Sequence, residues 1–255
     1  YDAPMASAQL KTAVLLAGVY ARGTTTLNEP SPSRNHTELM LPEFGVTTTA
    51  ADRTASVTGP AALRACEVQV PGDPSSAAFL VCAAVLKPDS SIQVENVSLN
   101  TARIGFTRTL ERMGADISVR HTGAAGKEPT ASFRRATREP AWVRGASDKI
   151  ATIVDEVPVL ALVAAHARGV TVFREVSELR VKETDRLAAI VEGLETLGVD
   201  AWIDGNDLFV EGQPGLQVPV GAAFDSKNDH RLAMTWGARR PVRQRSPSKW
   251  RTSTP

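Results

Sequence analysis

Charged side chains that could hold an anion and move a proton are concentrated in the segment 177–198. Five of them fall within seven residues: Arg180, Lys182, Glu183, Asp185 and Arg186. Apolar residues at helical spacing follow directly, and they predict an amphipathic helix that ends at Gly198. Because the first turn of a helix offers free N–H groups and a positive dipole end, the segment predicts a site for a phosphate or carboxylate. The alternative from spacing alone is a solvated helix face with weak ion pairs.

Polar side chains also recur where other apolar helices are predicted to begin. They are Ser7, Gln9, Ser75, Ser76, Asp155 and Glu156. Helix capping explains Ser75 and Ser76 simply, and it is an alternative for the two acids. However, two adjacent carboxyls that enter an apolar helix also predict a proton-transfer group whose basicity is set by desolvation.

Two further polar clusters lie elsewhere in the chain. Ser33, Arg34 and His36 offer a hydroxyl, a guanidinium and an imidazole ahead of a predicted helix, where a capping box with Ser33 as the cap is the competing interpretation. His230 and Arg231 lie in a second cluster, 228–231, for which a polar turn is the simpler interpretation.

The elements that must position these side chains form a repeat. Each unit reads as helix, strand, helix and a short strand pair. The predicted first helices are 9–21, 75–86 and 155–168, the strands that follow are 23–28, 91–96 and 169–174, and the second helices close at Gly45, Gly114 and Gly198. Since the first helices are apolar nearly all round, we expect them inside, with sheets outside. The fold class is therefore α/β, built from α+β modules.

Composition excludes several function classes. The formal charge of the 255-residue chain is +1, but residues 238–255 hold six basic residues and no acid, and the remainder carries −5. The body therefore has no global basic field for nucleic acid. No apolar run is long enough to span a bilayer, and no Gly-rich loop supports a nucleotide cofactor.

Cysteine and histidine spacing argues against a metal or redox site. Cys66 and Cys82 lie in apolar stretches without a CxxC pattern, which predicts free, reduced thiols in a reducing compartment. The four histidines never come at a metal-ligand spacing, so no metal is expected.

A stiff break at 70–74 is the predicted domain boundary. It divides the chain into a partial first lobe, 1–70, and a second lobe, 71–236, which we expect to be incomplete at its C-terminal end. The segment 123–145 is Arg-rich and predicts strands with exposed loops. Residues 237–255 show no periodicity, which predicts a basic, disordered or non-native tail.

Taken together, the polar motifs resemble the 5-enolpyruvylshikimate-3-phosphate (EPSP) synthase family. The resemblance covers residues 5–234 in family order, and its joint motifs are highly specific. They are Ser7-Ala8-Gln9-Leu10-Lys11, Pro32-Ser33-Arg34-Asn35-His36-Thr37-Glu38, Gly72-Asp73-Pro74-Ser75-Ser76-Ala77-Ala78, Asp155-Glu156-Val157-Pro158, Leu179-Arg180-Val181-Lys182-Glu183-Thr184-Asp185-Arg186 and Asn228-Asp229-His230-Arg231.

The resemblance implies a two-lobed fold of repeated modules with parallel helices inside and sheets outside, truncated here at both ends. It implies transfer of the enolpyruvyl group of phosphoenolpyruvate to the 5-hydroxyl of shikimate 3-phosphate, with release of phosphate. A cytoplasmic monomer is expected, with small-molecule substrates, no cofactor, and no nucleic-acid or membrane partner.

Roles are implied residue by residue. Ser7, Ser33, Asp155 and Lys182 would bind shikimate 3-phosphate, and Lys182 also counts among the catalytic residues. Gln9, Arg186 and Arg231 would bind phosphoenolpyruvate. Asp155 would take the hydroxyl proton and Glu183 would protonate the methylene carbon. The supporting residues would be Arg34, His36, Glu156 and His230.

Some features depart from the family pattern. Two N-terminal substrate loops and a C-terminal Lys of the family have no counterpart in the chain, so we expect a partial and inactive enzyme. Pro42 interrupts a helix, and 100–103 only approximates a family motif. The alternatives are an enzyme like UDP-N-acetylglucosamine enolpyruvyl transferase and a protein that binds nucleic acid or anionic surfaces through its basic tail.

Overall fold

Three consecutive units of the same architecture form the protein. The computed structural model describes residues 1–87, 89–135 and 150–239. The elements of the first unit are α1 (Ala8–Tyr20), β1 (Gly23–Asn28), α2 (His36–Met40), a 3₁₀ turn (Leu41–Phe44), β2 (Thr48–Ala51) and β3 (Thr54–Gly59). The predicted first helix and its strand are confirmed. The second helix changes to 3₁₀ geometry at Leu41 because Pro42 has no N–H to continue the α-helical bonding.

The second and third units repeat this order. The second comprises α3 (Pro74–Leu86), β4 (Ile92–Ser98), α4 (Gly105–Arg112), β5 (Ile117–Ala125) and β6 (Glu128–Arg135). The third comprises a 3₁₀ turn (Ile150–Thr152), α5 (Val157–Ala165), β7 (Gly169–Phe173), a second 3₁₀ turn (Ser177–Val181), α6 (Arg186–Thr196), β8 (Ala201–Asp204) and β9 (Asp207–Gly212). A final helix, α7 (His230–Ala238), follows. The expectation of strands in 123–145 is met as far as Arg135, and the rest of that segment lies outside the described residues.

Each unit carries a three-stranded antiparallel sheet with the same topology. The strand orders are β1-β3-β2, β4-β6-β5 and β7-β9-β8, so the last strand of each unit lies in the middle. Helices α3, α5 and α7 pack against one another, and every residue of α5 is buried. The prediction of interior helices with sheets outside is therefore confirmed for the second and third units.

The hydrophobic core is divided into two clusters. The smaller one lies in the first unit and comprises Leu15, Val19, Leu41, Val46, Ala55 and Val57. The larger one runs from Ala77 to Trp236 and joins the second unit, the third unit and α7. Between them, residues 60–73 form no helix or strand beyond an isolated bridge of Gly72 with Val97.

Helix α6 lies close against α7 because Gly193 has no side chain. A Cβ at this position would lie 2.0 Å from Trp236 Cζ2, which is inside the van der Waals contact distance. At the end of the same helix, Gly198 has φ +78°, the left-handed geometry that glycine adopts most readily, and the predicted helix end is confirmed.

Both cysteines are free, as the sequence predicts, and one helix end is corrected. Cys82 is buried, whereas Cys66 is exposed in the segment between the two clusters. Burial raises the pKa of the Cys82 thiol. Helix α7 continues to Ala238, two residues past the point where periodicity predicted its end, and residues 240–255 lie outside the described residues.

Candidate active site

Asp155 is the point where three guanidinium groups meet. Its Oδ2 lies 2.8 Å from Arg34 Nη2 and 3.4 Å from Arg231 Nη2, and its Oδ1 lies 3.6 Å from Arg186 Nη1. Burial alone would raise the pKa of Asp155, but Arg231 and Arg34 outweigh it, and the pKa is lowered from its ordinary value. The carboxylate is therefore ionised at neutral pH, as a proton acceptor requires.

Glu156, the neighbouring acid, has a different environment. It accepts a hydrogen bond from the Ser75 hydroxyl, which in turn accepts one from Arg103 Nη2 at 2.9 Å. Burial raises the pKa of Glu156 to about 7. Neither Asp155 nor Glu156 makes a side-chain cap to α5, so the capping alternative for these two acids is wrong.

Asp73, rather than Ser75 or Ser76, is the N-cap of α3. Its Oδ2 accepts hydrogen bonds from the N–H and the hydroxyl of Ser76. The Ser75 hydroxyl is used by Glu156 instead. The capping interpretation of the two serines is therefore wrong, because a residue one step outside the apolar run occupies the cap position.

Arg186 is fully enclosed at the start of α6. Its Nε lies 2.6 Å from Asp229 Oδ2, its Nη2 contacts Glu183, and its side chain is 1% exposed. Such burial of a guanidinium is favourable only where carboxylates compensate the lost hydration. Sequence analysis placed Arg186 in the site but did not assign Asp229 a role there.

Asp229 is also the N-cap of α7. Its Oδ1 accepts hydrogen bonds from the backbone N–H groups of Arg231 at 2.8 Å and Leu232 at 3.3 Å. Burial alone would raise the pKa of Asp229, but the hydrogen bonds from Arg186 and the backbone outweigh it and lower the pKa. The cluster 228–231 is thus the start of α7 rather than a polar turn. His230, the first residue of the helix, is exposed.

Lys182 and Glu183 lie between the 3₁₀ turn and α6. Lys182 pairs with Glu178 at (i, i+4) spacing, and its charge also lowers the pKa of Asp155. The side chain of Glu183 is 49% exposed, and its carboxylate contacts Arg186. The alternative of a solvated face with local ion pairs describes the Lys182–Glu178 pair, whereas Arg186 is part of a buried cluster.

The candidate residues of the first unit differ in whether their side chains are hydrogen-bonded. Ser7 caps α1 by accepting from Leu10 N–H at 3.3 Å, and Gln9, two residues further along the chain, is exposed. The Ser33 hydroxyl is shielded from solvent and has no partner among the described residues. Asn35 is the N-cap of α2 and makes no side-chain cap hydrogen bond, so the capping-box interpretation of Ser33 is wrong.

His36 connects α2 to the second unit. Its Nδ1 lies 3.2 Å from Glu128 Oε2 and 3.4 Å from Asn100 Nδ2. Burial alone would raise the pKa of Glu128, but the hydrogen bonds from His36 and Ser98 outweigh it and lower the pKa. His36 thus supports the contact between units, and no described contact joins it to Asp155.

Sequence analysis missed a buried triad of charged side chains in the first unit, formed by Lys11, Glu29 and Glu38. Lys11, which is 3% exposed, lies 2.9 Å from Glu29 Oε2 and 2.9 Å from Glu38 Oε1. The signal was present, because Lys11 falls on the buried stripe of α1 one turn before Leu15. A lysine at an apolar position predicts buried carboxylate partners.

Comparison with known proteins identifies the family. The model of the EPSP synthase (3-phosphoshikimate 1-carboxyvinyltransferase) family matches residues 1–237. The chain belongs to this family. A 3-phosphoshikimate 1-carboxyvinyltransferase of Coxiella burnetii is 42% identical over 100% of this chain and 58% of its own length, and one of Desulfitobacterium hafniense is 44% identical over 92% and 54%.

Solved structures agree with this assignment. The EPSP synthase of Acinetobacter baumannii superposes with a TM-score of 0.86 at 37% identity, over 93% of this chain and 55% of that one. The enolpyruvyl transferase NikO of Streptomyces tendae shares the fold at 24% identity, with a TM-score of 0.56. The chain therefore spans a little over half the length of its EPSP synthase relatives. The family match favours this assignment over UDP-N-acetylglucosamine enolpyruvyl transferase.

A separate cavity of about 330 Å³ lies beside the segment that joins the two hydrophobic clusters. Its walls include residues 67–74, residues 125–128 and side chains of α2, and His36 is the one candidate site residue among them. In this EPSP synthase family member, Asp155 and its three arginines do not line the cavity, which meets the candidate site at His36. Within the described ranges, no helix combines the length and apolar content needed to cross a membrane.

Proposed function

We propose that the protein transfers the enolpyruvyl group of phosphoenolpyruvate to the 5-hydroxyl of shikimate 3-phosphate and releases phosphate. The observation that carries this proposal is the convergence of Arg34, Arg186 and Arg231 on Asp155. Both substrates are anions, and planar guanidinium groups match phosphate and carboxylate oxygens in pairs. The family assignment supports the same reaction.

Asp155 is proposed to take the proton of the 5-hydroxyl as its oxygen attacks C2 of phosphoenolpyruvate. Arg34 and Arg231 lower the pKa of this carboxyl in the substrate-free geometry, while burial opposes them. When the substrate anions draw these guanidinium groups away, burial remains. Substrate binding would therefore make Asp155 more basic at the moment when a base is needed.

The carboxylate of phosphoenolpyruvate and the phosphate of shikimate 3-phosphate are proposed to bind to different sets of residues. Arg186 and Arg231 would hold the carboxylate of phosphoenolpyruvate, with Gln9 facing the same substrate. Ser7, Ser33 and Lys182 would hold the phosphate of shikimate 3-phosphate. The unpartnered Ser33 hydroxyl supports this division, because it retains a donor for an incoming oxygen.

Glu183 is proposed to protonate the methylene carbon of phosphoenolpyruvate. The addition step then moves the hydroxyl proton to Asp155 and the Glu183 proton to carbon, which gives a tetrahedral intermediate. Phosphate then leaves with the proton held by Asp155, and one methyl proton returns to the Glu183 carboxylate, which restores the double bond and the starting state of both carboxyl groups. Glu183 can approach a substrate because its side chain is half exposed beside Arg186.

Residues 1–70 and 71–236 are proposed to be parts of two lobes with a hinge near 71–74. The separate hydrophobic clusters and the extended segment between them support this division. We further propose that the protein acts in the cytoplasm as a monomer, without a cofactor or a nucleic-acid partner.

Calorimetric titration of the 255-residue chain with shikimate 3-phosphate tests the binding part. Lys182→Met should weaken binding about tenfold or more, because a charged hydrogen bond to phosphate is lost. Lys227→Met is the matched control, since Lys227 pairs with Glu192 and Asp225. Equal affinities of the two variants would contradict the proposed role of Lys182.

Turnover is measured in a chimera whose remaining segments come from the Coxiella burnetii relative. Glu183→Gln should lower kcat about 100-fold or more with little change in shikimate 3-phosphate affinity, because Gln keeps the shape but delivers no proton. Glu192→Gln, on the exposed face of α6, is the control. A chimera that binds neither substrate and releases no phosphate would overturn the proposed function.

A further inference from the structure

Asp229 is a buried carboxylate that contacts both Arg186 and the first turn of α7. Oδ2 accepts from Arg186 Nε at 2.6 Å, and Oδ1 accepts from the backbone N–H of Arg231 at 2.8 Å and from Arg186 Nη2 at 3.4 Å. The side chain of Asp229 is 0% exposed and that of Arg186 is 1% exposed. One side chain therefore fixes the guanidinium of α6 and the first turn of α7.

The other partners of Arg186 differ from Asp229 in accessibility. Glu183 is 49% exposed and Asp155 is 12% exposed, so both border space that a ligand can enter. Asp229 has no solvent to turn toward. Arg186 would thus keep its Nε–H bond to Asp229 permanently, while the Nη1 and Nη2 edge exchanges Glu183 and Asp155 for an incoming carboxylate.

Hydrogen bonds to Asp229 Oδ1 restrain the backbone of Arg231. The cap bonds from Arg231 and Leu232 N–H fix the start of α7, and Arg231 Nη2 lies 3.4 Å from Asp155. Contact of Gly193 with the Trp236 ring holds α7 against α6. The relative placement of the two guanidinium groups therefore depends on Asp229 more than on any of the exposed ion pairs around it.

We propose that Asp229 is a positioning residue, which holds Arg186 and Arg231 in the spacing that binds one substrate carboxylate between them. This inference rests on the proposed function for the identity of that substrate, phosphoenolpyruvate. Asp229 itself touches no substrate.

Two substitutions separate positioning from capping and from charge. Asp229→Ser keeps an N-cap oxygen but cannot reach Arg186, whereas Asp229→Asn keeps the side-chain length and has a single oxygen, which can accept from Arg186 Nε–H at the expense of the cap. Phosphoenolpyruvate binding should weaken about tenfold or more in Asp229→Ser and within about threefold in Asp229→Asn. Shikimate 3-phosphate affinity should stay within about threefold of the original in both variants.

The arginine Nε–H signals of the 255-residue chain, followed by ¹⁵N NMR during titration with each substrate, provide the measurement. Arg186→Lys assigns the Arg186 signal by its disappearance. A slowly exchanging Arg186 Nε–H signal should be present in the original chain and in Asp229→Asn, and it should be lost in Asp229→Ser.

Each outcome decides the proposal. If phosphoenolpyruvate binds Asp229→Ser as tightly as the original chain, Asp229 is only a helix cap and the inference is overturned. Equal losses of phosphoenolpyruvate affinity in Asp229→Ser and Asp229→Asn would also overturn it, because only the negative charge of Asp229 would then matter. If both substrates bind equally more weakly, the substitution has disturbed the whole site, and the inference is also overturned.

If phosphoenolpyruvate binds none of the proteins, the proposed function fails, and the NMR signals still show whether Asp229 holds Arg186 in place. If Asp229→Ser does not fold, coupling across the hydrogen bond between Arg186 Nε–H and the Asp229 carboxyl in the original chain decides instead, and its absence would overturn the inference.

Discussion

Arg34 Nη2 lies 2.8 Å from Asp155 Oδ2, although the two residues are 121 positions apart. Arg34 belongs to the loop before α2, and Asp155 precedes α5, so the pair joins the first unit to the third. The proposed base is therefore held by a cation from the other proposed lobe. Any motion that separates the two sides, and any anion that attracts Arg34, changes the electrostatic environment of Asp155.

Removing this guanidinium should raise the pKa of Asp155. Arg34→Gln leaves burial in place and removes one of the two largest opposing influences. The carboxyl ¹³C chemical shift of Asp155, followed over pH, gives the measurement. Arg174→Gln is the control, because Arg174 forms an exposed pair with Asp207. A titration of Asp155 that is the same in both variants would show that Arg34 does not set its ionisation.

Glu156 should make the protein less stable as pH rises. Its pKa is about 7 in the folded state against 4.5 for the ordinary group, so between these values the folded state retains a proton that the unfolded state has lost. The associated stability is present below pH ~4.5 and is lost as pH rises toward ~7, by up to about 3 kcal/mol in total.

Glu156→Gln removes this loss, since Gln can still accept the Ser75 hydrogen bond and does not ionise. The free energy of unfolding of the variant, measured by urea denaturation, should exceed that of the original chain increasingly from pH 5 to pH 8. Glu211→Gln, at an exposed position of β9, is the matched control. A constant difference between Glu156→Gln and the original chain across this range would contradict the raised pKa.

Lys11 should be essential to the stability of the first unit. Lys11→Met leaves the buried carboxylates of Glu29 and Glu38 without their cation, and breaking a buried ion pair from one side costs about 3–5 kcal/mol. Urea unfolding should show this loss. Combining Lys11→Met with Glu29→Gln and Glu38→Gln should recover most of it, because no uncompensated charge then remains. Equal stability of Lys11→Met and the original chain would show that the triad contributes nothing.

Close packing of α6 on α7 should not tolerate a methyl group at position 193. Gly193→Ala places a Cβ within 2.0 Å of the Trp236 ring, so the helices must separate, at a cost of about 1–3 kcal/mol. Thermal unfolding and the fluorescence of Trp236 should both change. Gly237→Ala is the control within α7, because nothing lies within 4 Å of its Cβ position. If both variants are equally stable, the contact is not restrictive.

The sequence predicted the order and type of the elements because these follow from local periodicity. Apolar runs identified α1, α3 and α5, the repeat of helix, strand and helix placed β1, β4 and β7, and Gly198 marked the end of α6. The motif segments also predicted Asp155, Arg186 and Arg231 as members of one site, and the structure brings these three together.

Tertiary structure alone decided how the side chains are partnered. Nothing in the local sequence shows that Asp155 faces three arginines while Glu156 turns to Ser75, or which two carboxylates, those of Glu29 and Glu38, are the partners of Lys11. The exposure of Cys66 and the second role of Asp229 were equally hidden. The physical reason is that burial and ionisation depend on groups brought close by folding from distant positions, whereas periodicity records only which face of an element is apolar.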